Sequence, residues 1–347
     1  MQIDDLLGCA LARQASDIHV SAGLPPLLRV QGSLQRLDAP ILDDAAMMHL
    51  VGQILNEEQY LRFQAGQEVD ASLSFEGRAR LRVHAFHHAR GAALALRCLP
   101  HAVPTLERVA APAQLADLAL LPRGLVLVCG ATGSGKSTTL AALVDHYNTH
   151  RAGHILTLED PIEFVHTSRK SLVSQREIGR HAPSFCRALE AALREDPDLI
   201  MVGELRGLET IRLALTAAET GHLVLGTLHT ASAAQAVDRL ADAFPGAEQP
   251  AVRAMLSEAL QAVVAQALLP EQDGAGRVPV HEIMRATPAV RNLIREGKTA
   301  QLYSAIQSGQ AQGMQTLDQS LAAQVARGRV SAEVARTLAR YPDAIAG

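Results

Sequence analysis

Eight consecutive residues, Gly130-Ala131-Thr132-Gly133-Ser134-Gly135-Lys136-Ser137, fill the pattern G-x-x-x-x-G-K-[S/T] of a phosphate-binding loop, and Thr138 continues into the next segment. The chemistry requires these residue types. Glycines let successive backbone N–H groups turn toward phosphate oxygens, and a helix that follows adds its positive end. A lysine at position 136 reaches the β- and γ-phosphates, and the Ser137 hydroxyl is suited to Mg²⁺, so the loop points to ATP with magnesium.

Three further groups could act on a nucleotide held there. Glu159-Asp160-Pro161-Ile162-Glu163 puts three carboxylates within five residues, and Pro161 turns the chain out of any preceding strand. A solvated acidic turn has the same composition, whereas at a phosphate edge such carboxylates hold Mg²⁺ and its waters or orient an attacking water. Leu199-Ile-Met-Val-Gly-Glu204 is an apolar run ending in a carboxylate, the arrangement of a Walker B element with glutamate in place of the usual aspartate. Glu204 is the first candidate for the catalytic carboxylate and Glu163 the second, with exchangeable roles; Ser137, Glu159, Asp160, Glu163 and Glu204 are the candidate magnesium contacts. His222 and His229 bracket the last apolar run of this region. His222 follows Gly221 and fits a helix end as well as a catalytic role. His229 follows the run and is placed to sense a γ-phosphate or to carry a hydrogen bond.

These residues are useful only if the chain brings them together. The runs Leu125 to Val128, Ile155 to Leu158, Leu199 to Val202 and Leu223 to Leu228 read as short strands, with helical stretches near 184–195, 208–220 and 232–243 between or after them. Such alternation implies an α/β domain with a mostly parallel sheet. Ligands in open α/β sheets bind beyond the carboxyl ends of the strands. The phosphate loop, Glu159 with Asp160, Glu204 and His229 each follow one of the four runs, so they should gather at one edge.

Pro100, Pro104, Pro112 and Pro122 interrupt the pattern ahead of this domain. The sequence therefore divides into a small α+β domain over residues 1–100, a linker over 101–122, an ATPase core over 123–270 and a C-terminal helical part over 271–347. In the first part Ile3, Leu6, Leu7, Ala10 and Leu11 share a helical face, and Val69 to Phe75, the Glu76-Gly77 turn and Arg78 to Phe86 read as a hairpin. Arg78, Arg80 and Arg82 alternate with Ala79, Leu81 and Val83, which places the guanidiniums on one strand face. That face is either an ordinary solvated one or a positive stripe offered to a phosphate, including one bound by a neighbouring subunit.

Composition narrows the classes. Of 347 residues, 48% are hydrophobic and only 3% aromatic, so the core is large and aliphatic. A net charge of −4 with no basic block leaves no footprint for wrapping nucleic acid. Cys9, Cys98, Cys129 and Cys186 are scattered without a CxxC pair and read as reduced thiols of a cytoplasmic protein. The N-terminus is acidic where a signal peptide is basic, and no apolar run approaches the roughly 18 residues of a membrane span. Membrane association is expected only through partners.

Beyond the phosphate loop, the segments Ala15 to Pro26 (ASDIHVSAGLPP), Ile155 to His166, Arg194 to Arg206 (REDPDLIMVGELR), Gly221 to Thr230, Val290 to Glu296 (VRNLIRE) and Gly313 to Leu321 (GMQTLDQSL) resemble the secretion-superfamily ATPases. Within them the chain is most similar to the PilT-type retraction ATPases of type IV pili, from Ile3 to Ala335. The resemblance implies a RecA-like P-loop NTPase domain preceded by a PAS-like domain and followed by C-terminal helices, assembled as a homohexameric motor. It implies ATP and Mg²⁺, a cytoplasmic location peripheral to the inner membrane, and action through an inner-membrane pilus platform protein. It also gives the arginines a purpose: Arg80, Arg82 and Arg97 become candidates for groups that approach nucleotide at a subunit junction. Arg291, Asn292, Arg295 and Glu296 fall in a segment needed for retraction in that family. The alternatives are an accessory PilU-type retraction ATPase or a nucleotide-binding regulatory or scaffold protein with little turnover. Two departures stand out: Gly207 replaces an aspartate that could steady Arg206, and Cys129 replaces a threonine before the loop.

Overall fold

The computed structural model describes residues 2–30, 32–75, 79–99, 102–274 and 276–345. The chain divides into two compact units, Met1–Ala102 with Glu163–Val165, and Val103–Ile162 with His166–Gly347.

The first unit opens with α1 (Ile3–Ala12), whose Ile3, Leu6, Leu7 and Ala10 recur at helical spacing and are all buried. Strands β1 (Asp17–Ser21), β2 (Leu27–Val30) and β3 (Ser33–Arg36) follow. Next come α2 (Asp44–Ile54), capped by the Asp43 carboxylate accepting from the Ala46 N–H, and α3 (Glu57–Gln64), closed by a capping box between Asn56 and Gln59. With β4 (Val69–Phe75), β5 (Ala79–His88) and β6 (Gly91–Leu99), the strands among the described residues form one antiparallel sheet in the order β3-β2-β1-β6-β5-β4. Helices cover one sheet face, where Ile18, Val20, Leu81 and Val83 meet Leu6, Met47 and Phe63. The period of two therefore turns Arg80 and Arg82 to the opposite face. There Arg97 stands opposite Arg82, Asp17 opposite Arg97, and Arg29 opposite Asp17, so charge runs as a row across four strands. The turn at Glu76 and Gly77, and Arg78, lie outside the described residues.

The second unit runs α4 (Gln114–Ala119), β7 (Gly124–Cys129), α5 (Lys136–His150), β8 (His154–Glu159), β9 (Leu172–Glu177), α6 (Phe185–Ala192), β10 (Leu199–Val202), α7 (Leu208–Glu219), β11 (Leu223–Leu228), α8 (Ala233–Asp242) and α9 (Gln249–Ala259). It continues with β12 (Leu260–Pro270), β13 (Arg277–Arg285), α10 (Pro288–Arg295), α11 (Leu302–Ser308), α12 (Leu317–Ala326) and α13 (Ala332–Leu338). Its sheet has the order β13-β12-β7-β11-β10-β8-β9, and all neighbours pair in parallel except β12 with β13. Every residue of β7, β10 and β11 is buried, as a parallel sheet covered on both faces demands. Leu125, Leu127, Ile200 and Val224 pack toward α6–α9, whereas Val126, Val128, Met201 and Leu225 pack toward α4 and α5.

One expectation needs correcting: residues 271–347, read as a helical part, open with strand β13. β12 is hidden because its alanine- and leucine-rich sequence continues that of α9 without a breaker, so propensity reads it as more helix. Pro279 inside β13 argues against a strand but is tolerated at a sheet edge. Among the described residues no helix is long and apolar enough to cross a membrane.

Candidate active site

Strand β7 delivers the phosphate loop between β11 and β12, with Cys129 paired to Leu228 and Ala265. Gly130 (φ 152°), Gly133 (φ 80°) and Gly135 (φ 88°) all hold the positive φ that the turn requires and that other residues rarely adopt. Gly135 caps α5, so the loop wraps the helix's positive end. Lys136 is nearly buried, and its Nζ donates to the carbonyls of Gly130 (2.9 Å) and Ala131 (3.0 Å). The ammonium is thus held over the loop. Ala131, Thr132, Gly133 and Ser137 are exposed at its rim, Thr138 is half-buried, and Ser134 faces inward.

At the end of β8, Glu159 is buried, with 8% of the residue exposed. Its Oε1 accepts from the Thr157 hydroxyl (2.6 Å) and the Gln175 amide (3.0 Å). Glu177 stands beside it in register on β9 and accepts from the Ile162 N–H at 3.2 Å. Glu177 was not anticipated from the sequence, where it is one acid among polar residues. Asp160 is exposed, and Glu163 is half-buried and groups with the first unit. The buried His166 ring has no hydrogen-bond partner for Nδ1 among the described residues. Burial first, and then the Arg169 charge, push its pKa down to about 4.

Strand β10 is followed by Gly203, whose N–H donates to the Leu158 carbonyl at 2.8 Å. The chain then continues along the end of β11: the Leu205 N–H donates to the Thr227 carbonyl (3.0 Å), and the Thr227 hydroxyl donates to the Gly203 carbonyl (2.5 Å). These bonds fix Glu204 against the end of β11. There its Oε1 accepts from the Arg206 guanidinium Nε and lies 3.4 Å from His229 Nε2. Glu204 and His229, far apart in sequence, therefore meet at the edge where the phosphate loop leaves β7.

His222 does not join them. It precedes β11, its Nδ1 is 3.0 Å from the Ala217 carbonyl at the end of α7, and its own carbonyl accepts from the Gly124 N–H. The whole of β11 separates it from His229, about 20 Å at the rise of an extended strand. Its place is the helix end that Gly221 announced.

The model of the Type II/IV secretion system protein family matches residues 1–337. The chain belongs to that family. It is 53% identical over 343 residues to the type IV pilus retraction ATPase PilT of Pseudomonas aeruginosa, covering 99% of each chain. It is 39% identical over 333 residues to the type IV pilus ATPase PilU of the same organism, covering 96% of this chain and 87% of that one. Among solved structures, that of the pilus retraction motor PilT with bound ADP aligns with a TM-score of 0.93 at 42% identity, covering 99% of this chain and 98% of that one.

This family member is an ATPase with an α/β fold. Cys129 is fully buried in β7, where desolvation pushes its thiol up to about 12, so it serves as a small apolar filler. Gly207 adopts φ 78° and ψ 150° at the start of α7, directly after the arginine that grips Glu204. Gln266 escaped the sequence reading altogether. It is a nearly buried polar residue of β12 whose amide contacts both Ser134 and Thr139. The available signal was a glutamine interrupting an apolar run.

Proposed function

We propose that this chain is the ATP-hydrolysing motor of type IV pilus retraction, working as a homohexamer at the cytoplasmic side of the inner membrane. The observation that carries the reading is the approach of Glu204 Oε1 to His229 Nε2, 3.4 Å, at the edge that holds the phosphate loop. A phosphate loop alone binds nucleotide; a carboxylate beside an imidazole at the same edge can also handle a water and its proton. Identity to PilT along the whole chain, 53% against 39% for PilU, favours the retraction motor over the accessory one.

Lys136 and the loop N–H groups bind the β- and γ-phosphates, and Lys136 exchanges its carbonyl partners for phosphate oxygens. The donors available to magnesium are hard oxygens, the Ser137 hydroxyl and the carboxylates Glu159, Asp160, Glu163 and Glu204, which fit that ion. No group of three or more His, Cys, Asp or Glu among the described residues could hold a metal by itself, so Ser137, water and nucleotide oxygens must share the task. When bound, magnesium neutralises charge on the β- and γ-phosphates. Glu204 orients the attacking water and takes its proton, with Glu163 second in line for that role. His229 orients Glu204 and reports on the γ-phosphate. Arg80, Arg82 and Arg97 of the PAS-like domain, residues 1–100, approach the nucleotide of an adjacent subunit's RecA-like core, residues 123–270. Turnover then moves the domains and drives pilin removal through the inner-membrane platform protein, alongside an accessory retraction ATPase.

Purified protein should release phosphate from Mg²⁺-ATP, and Lys136→Ala and Glu204→Ala should each abolish release. Equal rates in all three would sink the motor reading. A strain lacking the gene should keep its surface pili and stop twitching, whereas bald cells would assign extension in place of retraction.

A further inference from the structure

The β12–β13 hairpin grips the phosphate loop at several points. Gln266 Nε2 donates to the Ser134 carbonyl at 2.7 Å, and Gln266 Oε1 accepts from the Thr139 hydroxyl at 2.7 Å. A carbonyl can only accept, so Ser134 fixes which end of the amide faces it. That leaves Oε1 for Thr139 and commits the threonine proton. The loop glycines are shaped around the same residue. A Cβ on Gly130 would lie 2.3 Å from the Gln266 carbonyl oxygen, and one on Gly135 would lie 2.9 Å from Gln266 Nε2. Arg277, the first residue of β13, adds a long contact of 3.5 Å from Nη1 to the Gly133 carbonyl.

The hairpin is also tied to the C-terminal segment. His281 stands opposite Gln266 in register. Its N–H donates to the Ser320 hydroxyl (3.1 Å), and its carbonyl accepts from the Gln315 amide (2.9 Å). Ile283 and Gln315 exchange backbone hydrogen bonds of 2.8 and 3.0 Å. Both backbone polar groups of His281 face residues 315–320, so Gln266 and His281 form a non-hydrogen-bonded pair of the antiparallel ladder, and the path from the loop to the C-terminal segment crosses the hairpin by direct strand-to-strand packing at that pair.

We propose that Gln266 is a positioning residue that sets the phosphate loop in its nucleotide-binding form and couples its occupancy to the 315–320 segment. The proposal rests on the loop binding adenine nucleotide. When phosphate oxygens draw the loop N–H groups and Lys136 toward them, the Ser134 carbonyl moves with the backbone. Gln266, engaged at both ends of its amide, transmits that shift to β12.

The test uses full-length protein with Mg²⁺-ADP as the probe, calorimetry for affinity and amide hydrogen exchange for coupling. Gln266→Leu removes both side-chain bonds at similar volume and should raise the Kd for ADP about tenfold, the loss expected for buried hydrogen bonds on one side of a binding loop. ADP should slow exchange at residues 281–283 and 315–320 in the wild type, and this response should vanish in the variant. Gln266→Glu keeps an acceptor for Thr139 but turns an oxygen on the Ser134 carbonyl, and Thr139→Val removes one bond alone. Thr139→Val, the gentler of these two changes, should raise the Kd and weaken the exchange response in the same direction even should the Gln266 variants fold poorly. A merely structural role would lower protection with and without ADP, leaving the ADP-dependent difference intact, and that result overturns the proposal. So does an unchanged Kd in all variants. Failure of wild-type protein to bind ADP would refute the nucleotide reading itself, and this inference with it.

Discussion

Gly226→Ala should slow hydrolysis strongly while hardly disturbing the fold. Gly226 lies inside β11, opposite Leu127 of β7 and Val202 of β10, with no positive φ to explain the glycine. A Cβ there would sit 2.8 Å from Leu205 Cδ1 and 3.1 Å from Leu205 Cγ. Carbon atoms settle at about 3.5 Å or more, so the leucine must withdraw by roughly 0.7 Å. Leu205 is 3% exposed and packed in the core, which leaves its backbone as the way out. That backbone carries Glu204 on one side and Arg206 on the other. Overpacking of this kind costs about 1–3 kcal/mol, offset by about 0.5–1 kcal/mol from replacing a flexible glycine in a strand. The melting temperature should fall by only a few degrees. Catalysis is less forgiving, because a misplacement approaching about 1 Å can cost on the order of a hundredfold in rate. Steady-state phosphate release should show kcat down about 10- to 100-fold, with KM for ATP nearly unchanged because the phosphate loop stands on β7. Pairing Gly226→Ala with Leu205→Val should restore much of the rate. Wild-type kcat in the single variant would refute the idea that Leu205 holds Glu204 in place.

Stability should fall between neutral and acid pH because of buried imidazoles. Desolvation lowers the pKa of His281 to about 4, whereas an unfolded histidine protonates near 6.5, so between these values the unfolded chain binds the extra proton. His281 thus contributes stability that is complete above pH about 6.5 and lost as pH falls toward about 4, on the order of 3 kcal/mol at most. His166 acts in the same direction. Urea midpoints at pH 7 and 4.5 should differ less in His281→Gln than in wild type, and equal differences would contradict this. Cys129, with its thiol pushed up to about 12 inside β7, should resist iodoacetamide at pH 8 in the native protein and react only after denaturation. Labelling as fast as at Cys9, Cys98 or Cys186 would show that β7 opens.

What the sequence made legible follows from how local each signal is. The phosphate loop is contiguous, and its strand and helix announce themselves on either side, so its fold and chemistry can be read from a short window. Glu204 and His229 became legible through a rule about parallel sheets, applied to where their strands end. Gln266 obeys no such rule. Its task depends on β12 lying beside β7, a pairing between residues 125–129 and 260–265 that no local pattern reveals. The same applies to Glu177, which stands beside Glu159 only because β9 runs beside β8, and to His222, which flanks the same strand as His229 but at its other end.

Gly207 shows how a sequence departure changes meaning once its backbone is known. Read as a lost carboxylate, it suggests an unsteadied Arg206. Instead Arg206 is held by Glu204 itself, whose Oε1 it shares with His229. The φ of 78° and ψ of 150° at Gly207 fall in a region that is essentially reserved for glycine, where a side chain costs about 1–3 kcal/mol. An aspartate could not simply be restored here; the turn into α7 would have to change with it. The glycine and the Arg206–Glu204 pair are therefore two parts of one local solution. Glu204, the carboxylate proposed to act on water, is held by an arginine from its own loop, which the glycine turn at 207 places directly before α7.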